Sequence, residues 1–301
     1  MSNVLAIEGG GSGFRAAKVN GLEIKIIAAL PQYEISGGSL IAFIKRCTEM
    51  INADRIGIST SGFVTPDGVI EHSTNIGLPP CFPLAEEASR TTGKPTRVVN
   101  DLVAATRGIS LVFPSLPRFI VENIGDGDGQ NEYDNGVIKP IDERGHMTID
   151  PSPFALPCSC GLYGCAESLV GGASMARLVE FTMSARHIDR PEGMPPCAFL
   201  DQEYATRAPW AVRIYNQFCL ALGVKLANLQ LGGKFPAFVF RGTTIVKALK
   251  LPNIEDNIRK SLYEHLPAKS WADVEFRIVP AHPQGIKDWD GFLGAAAFAE
   301  D

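Results

Sequence analysis

Between Glu143 and Glu167 the chain reads ERGHMTIDPSPFALPCSCGLYGCAE, which sets one imidazole, His146, beside three thiols, Cys158, Cys160 and Cys165. Three soft thiolates and one imidazole make a closed tetrahedral shell suited to structural zinc, with no open position for a metal-bound water. A set of unliganded cysteines is the competing account. It is the weaker one, because thiols packed this densely in a reducing compartment need a reason. Glu143 and Glu167 flank the cluster, and carboxylates are harder ligands than thiolates. With four better donors present, both acids are free for other work.

A second place for chemistry is RVVNDLVAATRG, where Asn100 and Asp101 stand at the carboxyl end of an expected strand and open a helix. A helix N-cap accounts for one such polar residue. It accounts less well for two, and the carboxyl ends of strands are where α/β folds take ligands. A carboxylate there could accept a proton from a hydroxyl nucleophile. Two glycine-rich turns complete the set: Glu8 followed by Gly9, Gly10, Gly11 and Ser12, and Gly125, Asp126 and Gly127. Glycine lets the backbone approach an anion closely, so opposed turns could cradle the phosphates of a nucleotide. Neither turn is a Walker loop, since no Gly-Lys-Ser/Thr follows, and the first leads into a strand, unlike a dinucleotide fingerprint.

The elements that must carry these groups follow from hydropathy patterning. Strands are expected near 3–9, 13–19, 22–30, 55–60 and 96–100, with helices near 39–52, 82–92 and 102–110. Near residue 118 the pattern restarts: RFIVENIGDGDGQ is a strand entering a glycine turn, with NGVIKP as the next strand. Helices at about 208–231 and 244–265, strands at 236–241 and 274–280, and a terminal helix rich in small residues complete an α/β reading. The repeated strand, turn, strand unit implies a duplicated fold, with residues 1–117 and the C-terminal helix 288–301 as a smaller domain and 118–287 as a larger one. The turns would face each other across a cleft. With 301 residues, 45% of them hydrophobic, the chain can bury a core in each half. A net charge of −5 argues against nucleic acid or an anionic membrane as the main partner. No secretory leader or long apolar span is evident, and a cytoplasmic location is expected.

The motif ERGH followed by CSCGLYGCAE resembles the E-x-G-H and C-x-C-G-x-x-G-C-x-E signature of the ROK family of repressors, uncharacterised reading frames and sugar kinases. Similarity extends over nearly the whole chain, through STSGFVTPDGVIEHSTNIGLP and LGVKLANLQLGGKFPAFVFRG. The resemblance implies a two-domain, duplicated actin-like (hexokinase-like) ATPase fold with a cleft between domains and a zinc-binding loop over 146–165. It implies an ATP-dependent kinase acting on the primary hydroxyl of a hexose or N-acetylhexosamine, with structural Zn2+, Mg2+ and a homodimeric state. His146 would give one ring nitrogen to zinc and turn the other to a sugar hydroxyl. Glu143, Glu167, Asn75 and Asn100 would bind further hydroxyls, and Asp101 would be the general base. Residues 8–12 and 125–127 would hold phosphates, with Gly242 on the adenosine side. The family's repressors place a helix-turn-helix ahead of the first strand, and with that strand starting at residue 3 the kinase branch is the expectation.

Three departures fall on the nucleotide side. Glu8 stands where the family pattern has Asp, Asp126 replaces a phosphate-facing hydroxyl, and the usual glycine triplet is reduced to FRGTT, which contains Gly242. An alternative reading follows from them: a sugar-binding protein of the same fold with weak or lost phosphoryl transfer.

Overall fold

The computed structural model describes residues 3–301 except Gly11, Thr74, Asn75, Asp142, Lys269, Ser270 and Ala272. It divides into two units. The first comprises Met1–Pro117, Tyr133–Ile141 and Pro280–Asp301; the second comprises Arg118–Glu132 and Asp142–Val279.

In the first unit, β1 (Val4–Gly10), β2 (Gly13–Asn20) and β3 (Glu23–Pro31) form an antiparallel meander. Helix α1 (Gly37–Ile51) leads to β4 (Arg55–Thr60), which lies parallel to β1. A short hairpin, β5 (Phe63–Val64) and β6 (Ile70–His72), precedes α2 (Leu84–Thr92), β7 (Thr96–Asn100) and α3 (Asp101–Val112). The sheet order is β3-β2-β1-β4-β7. Residues 4 to 7 form an unbroken apolar run because both faces of the sheet are covered. Leu5 and Ile7 pack with Leu40, Phe43 and Ile44 of α1, whereas Val4 and Ala6 pack with Phe292, Leu293 and Ala295 from the C-terminal helix. That alternation is the period of two expected of a strand.

The second unit starts the same plan again with β8 (Arg118–Ile124), β9 (Asp128–Asp134) and β10 (Val137–Ile138). Next come α4 (Ala166–Val170), α5 (Gly172–Arg186), α6 (Pro196–Ala205) and the long α7 (Pro209–Gly233). Then follow β11 (Ala237–Arg241), α8 (Thr243–Ala248), α9 (Ile254–Glu264) and β12 (Glu275–Ile278), and α10 (Trp289–Glu300) closes the chain. The order β10-β9-β8-β11-β12 is the first sheet's order in new numbers. A meander of three strands followed by two parallel additions therefore occurs twice, as the repeat of glycine turns implied.

Three local expectations need correction. The strand after the second turn is DGQNEYD, and NGVIKP supplies only a short third strand, Val137–Ile138. One long helix over 244–265 is really two, α8 and α9, because Pro252 lacks the N–H that a continuing helix needs. Helices α4 to α6 lie outside the expected elements: α5 and α6 each bury one face, Met175 and Val179 or Phe199, Leu200 and Tyr204, but exposed apolar residues such as Phe181 and Ala198 blur the period. Among the described residues, no helix is long and apolar enough to cross a membrane.

Candidate active site

The cysteine cluster is assembled by tight backbone turns. Cys158 N–H donates to Leu162 O at 2.8 Å, and Gly161 N–H donates back to Cys158 O at 3.1 Å, so Cys158 and Cys160 sit on one narrow loop. Thr148 pairs with Cys165, and Gly164 N–H reaches Leu156 O at 2.9 Å. Gly164 has φ +71°, and a Cβ there would lie 1.9 Å from Asp150 O, so only glycine fits. His146 arrives at the end of a single 3-10 turn, Arg144–His146, behind Glu143 in the left-handed region at φ 52°.

The ligand atoms of His146, Cys158, Cys160 and Cys165 all lie within 4.8 Å of one another. Cys160 Sγ and Cys165 Sγ are 3.7 Å apart, and His146 Nδ1 is 3.4 Å from Cys158 Sγ. Zinc-to-sulfur bonds of about 2.3 Å give a tetrahedral S···S edge of about 3.8 Å, so these donors fit a tetrahedral dication. Burial pushes the Cys165 thiol up to about 12, and a bound cation would offset the cost of its thiolate there.

Glu167, in the first turn of α4, joins this loop to the second glycine turn. Its Oε1 accepts from Ser159 Oγ at 2.5 Å and lies 3.5 Å from Cys158 Sγ, and its Oε2 accepts from Asp128 N–H at 3.1 Å. Glu143 is exposed. In the turn itself, Gly125 O accepts from Gly172 N–H and from Thr244 Oγ1, both at 2.8 Å. Asp126 O accepts from Ala173 N–H at 3.0 Å. These bonds hold the turn against the N-terminal ends of α5 and α8. Gly242 precedes α8 and packs directly on Ile124 and Gly125. Asp126, Thr243, Thr244, Lys247, Cys197 and Asp201 line a cavity of about 260 Å³ within the second unit.

In the first unit, Asn100 caps α3: its Oδ1 accepts from Leu102 N–H at 2.8 Å and Val103 N–H at 3.3 Å. Its Nδ2 donates to Gly62 O at 3.0 Å. Asp101 begins the helix and accepts from Leu102 N–H at 2.9 Å. Gly9 and Gly10 end β1, and Ser12 is exposed in the following turn. Gly11 and Asn75 lie outside the described residues.

Glu8 is not alone at that turn. It faces Arg15 across the β1–β2 register, with Arg15 Nη2 2.6 Å from Glu8 Oε2 and 3.0 Å from Asp288 Oδ2. Arg15 also lies over the Phe292 ring, 5.4 Å from its centroid. Burial raises the Glu8 carboxyl to about 7, helped by the charges of Asp288 and Asp101 and opposed by Arg15.

The description "ROK family" matches this chain over residues 4–301. The chain belongs to the ROK family. An N-acetylmannosamine kinase of Vibrio cholerae is 28% identical over 268 residues, covering 85% of this chain and 84% of the relative. A ROK hexokinase from Thermus thermophilus superposes with a TM-score of 0.80 at 22% identity, covering 99% of this chain and 97% of the other. A ROK glucokinase from Streptomyces griseus, solved with glucose and AMPPNP, gives a TM-score of 0.74 at 20% identity, covering 99% of each chain. These likenesses establish the actin-like, hexokinase-like α/β fold.

Within this ROK chain the structure adds residues that sequence reasoning missed: Arg15 and Asp288 beside Glu8, and Lys247 and Thr244 beside Asp126. Arg15 had a signal, since a hairpin closing at the Gly10–Gly13 pair sets it opposite Glu8. Lys247 had none, because only the fold of α8 onto β8 brings it near the turn.

Glu8 yields a test. A carboxyl with its folded pKa raised from 4.5 to about 7 holds its proton more tightly when folded, so its contribution is full below pH 4.5 and is lost as pH rises through 7. Denaturant unfolding should show wild type losing on the order of 2 kcal/mol relative to Glu8→Gln across that window. Parallel curves from pH 4.5 to 8 would refute the raised pKa.

Proposed function

We propose that this ROK chain is an ATP-dependent sugar kinase that phosphorylates the primary hydroxyl of a hexose or N-acetylhexosamine. The observation that carries the reading is the Cys3His cluster with Glu167 joined to it, which gathers two hydroxyl-binding groups, His146 and Glu167, on one stiff loop. The names of the Vibrio and Streptomyces relatives support the same chemistry.

His146 turns Nδ1 toward Cys158, which leaves Nε2 for a sugar hydroxyl. Glu143 and Glu167 accept hydrogen bonds from further hydroxyls, and the second N–H of Asn100 Nδ2 supplies a donor. Asn75 belongs to the same set. Each sugar hydroxyl both donates and accepts, so carboxylate, imidazole and amide groups are the partners it needs once desolvated. Zinc held by His146, Cys158, Cys160 and Cys165 supplies rigidity, not chemistry.

Asp101 is the general base. As the sugar oxygen bonds to the γ-phosphorus and the bond to the bridging oxygen of ADP breaks, the hydroxyl proton passes to the Asp101 carboxylate. Residues 8–12 and 125–127, with Gly242, hold the nucleotide. Magnesium, when bound, would spread the charge of the phosphates, and Glu8 would help to hold it. Asp126 in the second turn favours weak, magnesium-dependent ATP binding, and Lys247 in the same cavity offsets part of that repulsion.

Asp101→Asn keeps the hydrogen-bonding shape but cannot take a proton. It should lower kcat by about 10² to 10⁴ with sugar affinity within a few-fold, as steady-state assay and calorimetry will report. Near-normal turnover would remove Asp101 from the mechanism.

Elemental analysis of the purified protein should find about one zinc per chain. Cys160→Ser should lower both the melting temperature and sugar affinity, because the loop carrying His146 and Glu167 loosens. A zinc-free protein, or a serine variant with unchanged sugar affinity, contradicts this role.

ADP release measured over a panel of hexoses and N-acetylhexosamines, at high ATP and magnesium, tests the activity itself. Sugar-stimulated release is expected, and Asp126→Thr should tighten ATP by restoring a hydroxyl. Tight sugar binding without release for any sugar would favour a binding protein of the same fold.

A further inference from the structure

Beneath the Gly125–Gly127 turn lies an ion cluster that the proposed chemistry does not use. Lys225, in the middle of α7, is fully buried; its Nζ lies 2.6 Å from Glu122 Oε2 on β8 and 2.7 Å from Asp128 Oδ1 on β9. Burial pushes the Glu122 carboxyl up, while Lys225 and, more weakly, Arg144 of the ERGH turn pull it down. Taking three charges out of water costs several kcal/mol per ion, and apolar side chains would fill this space at less cost. Core stability is therefore a poor reason for the cluster to be here.

Asp128 suggests another. Its carboxylate is held by Lys225, and its N–H donates to Glu167 Oε2 at 3.1 Å. Its carbonyl packs so closely on Gly145, between Glu143 and His146, that a Cβ at Gly145 would lie 1.9 Å from the oxygen. One residue thus touches α7, Glu167 and the turn that carries His146.

We propose that Asp128, anchored by Lys225, is a positioning residue that sets where Glu167 and His146 stand. The claim about sugar rests on the function proposed above; the anchoring does not.

Asp128→Ala tests it without stranding a charge, because Lys225 and Glu122 remain as a one-to-one pair. The sugar KM, or the calorimetric Kd, should rise roughly tenfold or more, while the ATP KM stays within about twofold. Asp128→Asn, whose Oδ1 still accepts from Lys225, should bring sugar affinity back to within about threefold of wild type. Ile258→Ala, a buried change on α9, serves as a control that lowers the melting temperature and leaves the sugar KM in place. Hydrogen exchange of segments 143–147 and 165–170 should be faster in Asp128→Ala than in wild type or Ile258→Ala.

Unchanged exchange in Asp128→Ala, or sugar and ATP affinity falling together as far as stability alone dictates, would overturn the proposal. Should wild type bind no sugar, the proposed function fails. The exchange comparison then still decides the anchoring: faster exchange in Asp128→Ala supports it, and equal rates reject it.

Discussion

The carboxylate of Glu167 is the contact on which the site's order depends. It accepts from Ser159 on the cysteine loop and from the backbone of Asp128 at the second glycine turn. A loop with so few regular elements cannot hold its shape by backbone pairing alone. Tying both ends of the carboxylate gives the loop one orientation against the β8–β9 hairpin. The clustered side chains of His146, Cys158, Cys160 and Cys165 sit on the same loop. Under the proposed function that stiffness matters, because hydroxyl partners that shift by an ångström no longer match a rigid ring.

The unusual acids of this chain occur with nearby cations. Glu8 lies opposite Arg15 in the β1–β2 hairpin, and Arg15 is shared with Asp288 just before α10. Asp126 lines the same cavity as Lys247. Glu122 and Asp128 share Lys225. If these turns hold phosphate as proposed, a nearby carboxylate would repel it through a medium of low dielectric, and a resident cation is the simplest way to reduce that repulsion. Departures from the ROK pattern at these turns thus look less like decay than like a different distribution of charge around the same backbone.

Much of this was legible in the residue order. The spacing of His146, Cys158, Cys160 and Cys165 identified a four-donor cluster, and the fold brings those donor atoms within 4.8 Å of one another. Apolar runs at residues 4–7 and 119–121 marked strands covered on both faces, and the two glycine turns announced the duplication that the sheet orders bear out. These features are local: they depend on spacing, on periodicity and on residue chemistry, all of which can be read along the chain. The Arg15 pairing was within reach too, because a hairpin register is itself a short-range property.

What only the tertiary structure decided is which distant groups share a low-dielectric space. Lys225 reads as one polar residue in an apolar helix, and nothing nearby in sequence announces that it meets Glu122 and Asp128 about a hundred residues earlier. Lys247 reaches the second turn only because α8 packs on β8. The break at Pro252 and the helices α4 to α6 belong here as well. Apolar residues on the exposed faces of α5 and α6, such as Phe181 and Ala198, mask the period that their buried faces follow. Charge pairing and packing act through space, and the chain separation between partners carries no trace of them until the fold has brought them together.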